Sequence, residues 1–296
     1  MTAPYQPATL RANVIGTLWM IAAMAGFAVE DALLKQASDA VPVGQLMILF
    51  GAGGALLFSA TAAARGERLF SSDVLSPTMR WRFAFEMGAR LFYTLAIVLT
   101  PLSSATAILQ AAPIVVVMGA ALVFGERVGW RRWTAVAIGL TGVLVILRPA
   151  TDSFSALSLL AVLGMLGFSL RDLASRAAPV SLSSVVLGIY GFAAIAVAGA
   201  LWSLWEKRAF VWPEPSALAA IGAASAVGAM AYGALMSAMR TGDVSVVAPF
   251  RYTRLLFGIT LGVVWFGETL DTATAAGCVI VVASGLFIFV RGRARG

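Results

Sequence analysis

Apolar residues run through this chain in long blocks separated by short polar breaks, and the blocks do not alternate with polar positions as half-buried strands do. Ten blocks stand out, at about 13–34, 42–64, 82–100, 102–124, 130–148, 154–174, 181–203, 216–239, 244–266 and 271–290. Each approaches the ~20 residues that an α-helix needs to cross a hydrocarbon layer ~30 Å thick. The third and fourth blocks nearly touch at Thr100-Pro101, and the eighth and ninth at Gly242-Asp243. One unbroken helix from Phe83 to Phe124 would be ~60 Å long, about twice the layer, so a tight turn is expected at Pro101. The block after Arg11 has many like it downstream and is read as a span rather than a cleaved signal.

Composition turns these blocks into membrane spans. Of 296 residues, 60% are hydrophobic and 12% charged, against about 45–50% and about 25% in an ordinary soluble protein. Such a chain cannot clothe a soluble globule. Ten spans of ~20 residues leave room only for short connections and tails, with no sizeable soluble domain. The absence of His and the single Cys278 exclude an internal disulfide and any His/Cys metal cluster. No cofactor-binding loop or nucleophile triad is evident, so an enzyme is not expected.

Charge orients the blocks. With ten spans, both termini share one face with the second, fourth, sixth and eighth connections. That face collects thirteen Arg residues, among them Arg65, Arg80, Arg82, Arg176 and Arg291, whereas the opposite face holds four basic residues, Lys35, Arg148, Lys207 and Arg208. The asymmetry predicts cytoplasmic termini in a cell inner membrane. The net charge of +7 is then a matter of membrane lipid and topology rather than nucleic acid. Trp81, Trp130 and Trp133 fall near one interface and Trp202, Trp205 and Trp212 near the other, where amphipathic indoles belong.

The two halves resemble each other. MAGFAVED at 24–31 recurs as MLGFSLRD at 165–172, and FGE at 124–126 recurs at 266–268. Five spans is an odd number, so the second half enters the membrane in the opposite sense. The expected fold is an all-α integral membrane protein of ten transmembrane helices arranged as two inverted five-helix repeats, 1–150 and 151–296.

On these features the chain resembles the drug/metabolite transporter superfamily, in its ten-helix EamA-like branch. The likeness covers almost the whole chain. It rests on the duplication, on PLSSATAILQAAPIVVVMGAALVFGERVGWRRW at 101–133 and on GDVSVVAPFRYTRLLFGITLGVVWFGE at 242–268. The resemblance implies a secondary transporter of a small organic metabolite, with a central cavity lined by the first, third, fourth, sixth, eighth and ninth helices. It further implies that the fifth and tenth helices are peripheral or join two copies in a homodimer. Riboflavin uptake is one family-level expectation, and export of an amino acid or nucleoside derivative is another. A non-transporting membrane scaffold is the reading from a different class, and its seam would stay dry.

Polar residues inside the blocks are the candidate site. Arg251 and Arg254 stand three apart in the ninth span, beside Tyr252, at a depth where an Arg is costly unless it meets water, a carboxylate or a ligand. Arg251 either snorkels to the interface or faces the cavity. Arg254 either pairs with Glu86 or Asp172 or contacts the substrate. Gln110, Tyr252, Arg251 and Arg254 are therefore the leading substrate-cavity candidates, with Tyr93 on the third span. Glu86 and Arg90, four apart, are expected to pair with each other. Asp31 and its repeat partner Asp172 either support the same cavity or pair with Lys35 and Arg176. Pro113 and Pro249 interrupt their helices, and the Gly125-Glu126 and Gly267-Glu268 pairs shape gates at helix ends.

Overall fold

The computed structural model describes residues 9–124, 130–147, 155–176, 179, 181–241 and 247–293. Among these residues it is all-helical, with no strand. The elements are α1 (Leu10–Ala37), α2 (Val43–Ala64), α3 (Pro77–Leu99), α4 (Leu102–Leu109), α5 (Ala112–Phe124), α6 (Trp130–Leu147), α7 (Ser158–Arg176), α8 (Ser184–Glu206), α9 (Pro215–Thr241), α10 (Thr253–Phe266) and α11 (Thr272–Arg293), with short 3-10 turns at Ser72–Leu75 and Ala248–Tyr252. Five of them, α1, α2, α7, α8 and α9, are long and apolar enough to cross a membrane by length and composition.

Local chemistry fixes the helix ends. The Thr9, Ser76 and Ser183 hydroxyls accept from the backbone N–H three residues on, at the starts of α1, α3 and α8. The turn expected at Pro101 is present: α3 stops at Leu99, and α4 begins at Leu102. The fourth block is not one helix. It breaks at Gln110-Ala111, just before Pro113, whose ring cannot sit inside a continuing hydrogen-bond ladder. The ninth block breaks likewise, its 3-10 turn containing Pro249 before α10 begins at Thr253. The Gly242-Asp243 junction lies outside the described residues.

Packing follows the duplication. α1 lies along α9 and α3 along α7, while α2 packs on α8, α6 on α11 and α4 on α10. Exchanging one half for the other carries the α1–α9 pair onto α3–α7 and leaves the α2–α8 and α6–α11 pairs unchanged. Two close approaches also correspond. A Cβ on Gly26 would stand 2.8 Å from the Ala231 Cβ, and one on Gly167 would stand 2.8 Å from the Ala89 Cβ. Gly26 and Gly167 occupy matching places in the repeated segment, and small residues of this kind let membrane helices touch along their backbones. Large apolar side chains stay exposed on the outside, including Leu56, Leu122, Leu256, Val264 and Val279. Lipid tails, not water, suit that surface.

The glycine contacts give a matched prediction. Gly167→Ala would place its methyl 2.8 Å from the Ala89 Cα and 2.9 Å from the Ala89 nitrogen, backbone atoms that cannot swing aside. Overpacking of this kind costs about 1–3 kcal/mol. Gly88→Ala meets nothing within 4 Å. Thermal unfolding in detergent should show a lowered midpoint for the first variant and an unchanged or slightly raised one for the second.

Candidate functional site

The charged residues inside the bundle gather in one place, and cross-helix partners hold them. Arg90 on α3 forms an ion pair with Glu30 on α1, and its guanidinium lies over the Phe50 ring, 4.9 Å from the centroid. Arg254 on α10 reaches Asp31 on α1 at 2.6 Å, and the Tyr93 hydroxyl donates to the same Asp31 oxygen at 3.1 Å. Phe27 and Tyr93 flank the Arg254 guanidinium. Arg171 on α7 contacts both Glu86 oxygens at 3.2 Å and Asp172 at 2.9 Å. Arg82, one turn before Glu86, stands 3.8 Å from it and donates to the Ser175 hydroxyl at 2.9 Å.

These groups surround a cavity of about 370 Å³, room for about a dozen waters at ~30 Å³ each. Its wall carries five guanidiniums, of Arg82, Arg90, Arg171, Arg251 and Arg254, and three carboxylates, of Glu30, Glu86 and Asp172. Apolar walls come from Phe168, Phe192, Ile195 and Leu235 among others. Exposure is graded along it. The Glu30 side chain is 1% exposed, whereas Asp172 is 29% and Arg251 34% exposed. The cavity therefore leads from the middle of the bundle toward the end where α3 starts and α7 stops.

The opposite end is tied shut. Gly267 ends α10 in the left-handed conformation, φ 64°, a geometry that glycine adopts at little cost. The Glu268 N–H then turns back to the Gly262 carbonyl at 3.0 Å. This directs the Glu268 carboxylate at the first turn of α4. It accepts from the Leu102 N–H at 2.6 Å, the Ser103 N–H at 3.0 Å and the Ser103 hydroxyl at 2.7 Å. A carboxylate at a helix N-terminus meets unpaired N–H groups and the positive end of the dipole. Lys35 does the converse for α3, donating to the Ile97 carbonyl at 2.8 Å and the Thr100 carbonyl at 2.7 Å, and it sits 3.8 Å from Glu268. One ion pair thus closes the ends of α1, α3, α4 and α10 together. Gly262 is needed beside it, because a Cβ there would lie 2.5 Å from the Glu268 Oε2.

Several sequence expectations meet this geometry differently. Gln110 lines the cavity and donates to the Arg251 carbonyl at 3.1 Å, joining the two broken helices at their breaks. Arg251, Arg254, Asp172 and Pro113 also line the cavity. Tyr93 and Tyr252 are buried at 0% and 5% exposure and stand behind the wall. The expected Glu86–Arg90 pair does not form. Arg82 lies one turn from Glu86 just as Arg90 does, and each acid faces a nearer Arg, so helical spacing alone could not select the partner. Arg254 pairs with neither Glu86 nor Asp172 but with Asp31, because α1 lies between α3 and α10. Lys35 serves Glu268 rather than Asp31. Gly125 and Glu126 lie outside the described residues. Glu30, Arg82 and Arg171 were missed as site residues. Their signal was present: Glu30 adjoins Asp31, Arg82 precedes Glu86 by four, and Arg171 adjoins Asp172 within the repeated segment.

Comparison with known proteins places this geometry in context. The sequence model of the EamA-like transporter family matches residues 14–148 and again 156–290. An S-adenosylmethionine uptake transporter of Rickettsia prowazekii is 27% identical over 66% of each chain, so the match spans just under two thirds of that relative's length. A pseudopaline exporter of Pseudomonas aeruginosa is 27% identical over 91% of this chain and 94% of its own. A riboflavin transporter of Vibrio cholerae is 26% identical over 92% of each. A crystal structure with 24% identity shares the fold, with a TM-score of 0.63 over 96% of this chain and 98% of that one.

The partner assignments predict a pattern of coupling. Neutralising either Glu30 or Arg90 alone strands its partner in the bundle, at a cost of about 3–5 kcal/mol. The double variant Glu30→Gln/Arg90→Gln should recover much of that loss. Glu86→Gln and Arg90→Gln should instead combine additively. Double-mutant cycles on thermal stability in detergent check both statements.

Proposed function

Because the chain belongs to the EamA-like transporter family, we propose that it is a secondary transporter that carries a small organic metabolite across the cell inner membrane by alternating access. The observation that carries this reading is the contrast between the two ends of the bundle. One end is bolted by Lys35 and Glu268, and the other grades into a charged cavity. Transport needs no covalent chemistry, only two states that offer one site to opposite sides.

The duplication supplies a second state. We read residues 1–150 and 151–296 as inverted five-helix repeats, a reading favoured by helix pairs that survive exchange of the halves. Exchanging the conformations of the two halves would open the bolted end and close the other. With Arg82 placed inside the bundle, twelve basic residues against four still favour cytoplasmic termini, which would turn the bolted end outward and the cavity inward.

Relatives named for S-adenosylmethionine, pseudopaline and riboflavin support a metabolite as cargo. Eight ionic side chains around the cavity favour a charged amino-acid or nucleoside derivative over riboflavin, whose ring system is neutral. They also favour a wet path over the dry seam of a scaffold.

Uptake by purified protein in proteoliposomes tests the proposal. Radiolabelled S-adenosylmethionine, riboflavin and tryptophan form a first panel. Saturable entry of at least one, above empty liposomes, is expected. Well-folded, reconstituted protein that moves none of the panel and none of a wider set of amino-acid and nucleoside derivatives would overturn it.

A further inference from the structure

Charge is nearly balanced in the cavity, and the imbalance is localised. Three wall carboxylates, Glu30, Glu86 and Asp172, together with the fully buried Asp31 that pairs with Arg254, are set against five guanidiniums. In their ordinary ionised states they leave one positive charge over. Arg90 is held by Glu30, Arg254 by Asp31, and Arg171 by Glu86 and Asp172. Arg82 has Glu86 and the Ser175 hydroxyl. The remaining cation is Arg251. Its guanidinium makes no hydrogen bond to a described residue, and its one ion-pair contact among the described residues, Asp172, lies 3.9 Å away. That is beyond hydrogen-bond distance, and Asp172 is already engaged by Arg171 at 2.9 Å.

Arg251 is also placed for the task. Its own carbonyl is anchored by Gln110, so the backbone is held while the side chain, which lines the cavity, remains 34% exposed. The cavity it lines has apolar and partly aromatic walls, with Phe168, Phe192, Ile195 and Leu235 among them. A planar guanidinium fork in a partly dehydrated pocket binds a carboxylate through two parallel hydrogen bonds.

We propose that Arg251 is the anion-receiving residue of the cavity, and that the cargo is an organic acid with a carboxylate on an apolar or aromatic body. This assignment rests on the transport reading above. The carboxylate takes the position opposite Arg251 that Asp172 occupies only at long range, so Asp172 is the internal competitor that the cargo displaces. Arg254, deeper and satisfied by Asp31, is the structural cation of the pair.

Matched probes test it. Indole-3-acetate and indole-3-acetamide differ in the anionic group, as do tryptophan and tryptophanamide. Entry of each into proteoliposomes is measured with wild-type protein, Arg251→Gln, Arg251→Lys and Asp172→Asn, after membrane abundance and monodispersity are matched. The acid of at least one pair should enter at least tenfold faster than its amide. Arg251→Gln should erase that advantage, and Arg251→Lys should restore part of it. Asp172→Asn should increase the apparent affinity for the acid, whereas a purely structural Arg251–Asp172 pair would make both neutral variants equally harmful. Equal entry of acid and amide, faster entry of the amides, or an acid preference that survives Arg251→Gln would overturn the assignment. If the four probes fail to enter while S-adenosylmethionine or riboflavin does, the assignment falls and the transporter reading stands. If no solute enters at all, both fall.

Discussion

Burying a guanidinium among apolar helices is tolerable only when a carboxylate or water meets it, and this constraint organises the bundle. An Arg at the centre of a membrane helix costs at least about 2.5–3.5 kcal/mol unless it is compensated. The chain places Arg82, Arg90, Arg171 and Arg254 inside, each facing an acid. Three of the four ion pairs cross between helices, so the charges also specify packing. Glu30 and Asp31 are neighbours on α1 yet pair with Arg residues of two different helices, Arg90 on α3 and Arg254 on α10. Slippage of α1 by one residue would break both contacts.

The same constraint separates the two ends. Glu268 and Lys35 are spent on backbone groups that helix ends leave unpaired, and each caps an element of its own neighbourhood while standing 3.8 Å from the other. Such a contact holds while the ends meet and offers water-accessible charges once they part. At the other end the ionic groups outnumber their good partners, and Arg251 is left half-satisfied. A site with one loosely held charge responds to a ligand of opposite sign. A fully paired network would not.

Much of the fold was legible because spans and turns are local. Block lengths gave the helices, Pro101 gave the turn between α3 and α4, and Pro113 and Pro249 marked the breaks. The repeated GF…D segment located the close approaches of Gly26 and Gly167. The pairing of charges was not legible, because it is set by which helices adjoin. Glu86 has an Arg one turn before it and another one turn after, and Arg171 on α7 approaches from across the interface. The role of Glu268 was half legible: a Gly-Glu pair at a helix end suggested a turn, but its target, the start of α4, lies 166 residues away along the chain.

Accessibility of the two ends during turnover tests the central claim most directly. With the buried Cys278 replaced by Ser, Ser175→Cys reports on the cavity and Ser103→Cys on the bolted end. A hydrophilic thiol reagent supplied to each side in turn should modify Ser175→Cys from the cytoplasmic side and leave Ser103→Cys protected in resting protein. A saturating gradient of transported solute should shift both, lowering labelling at the first and raising it from the outside at the second. Simultaneous labelling of both positions at rest, or no change in either while solute is moving, would contradict alternating access through this cavity.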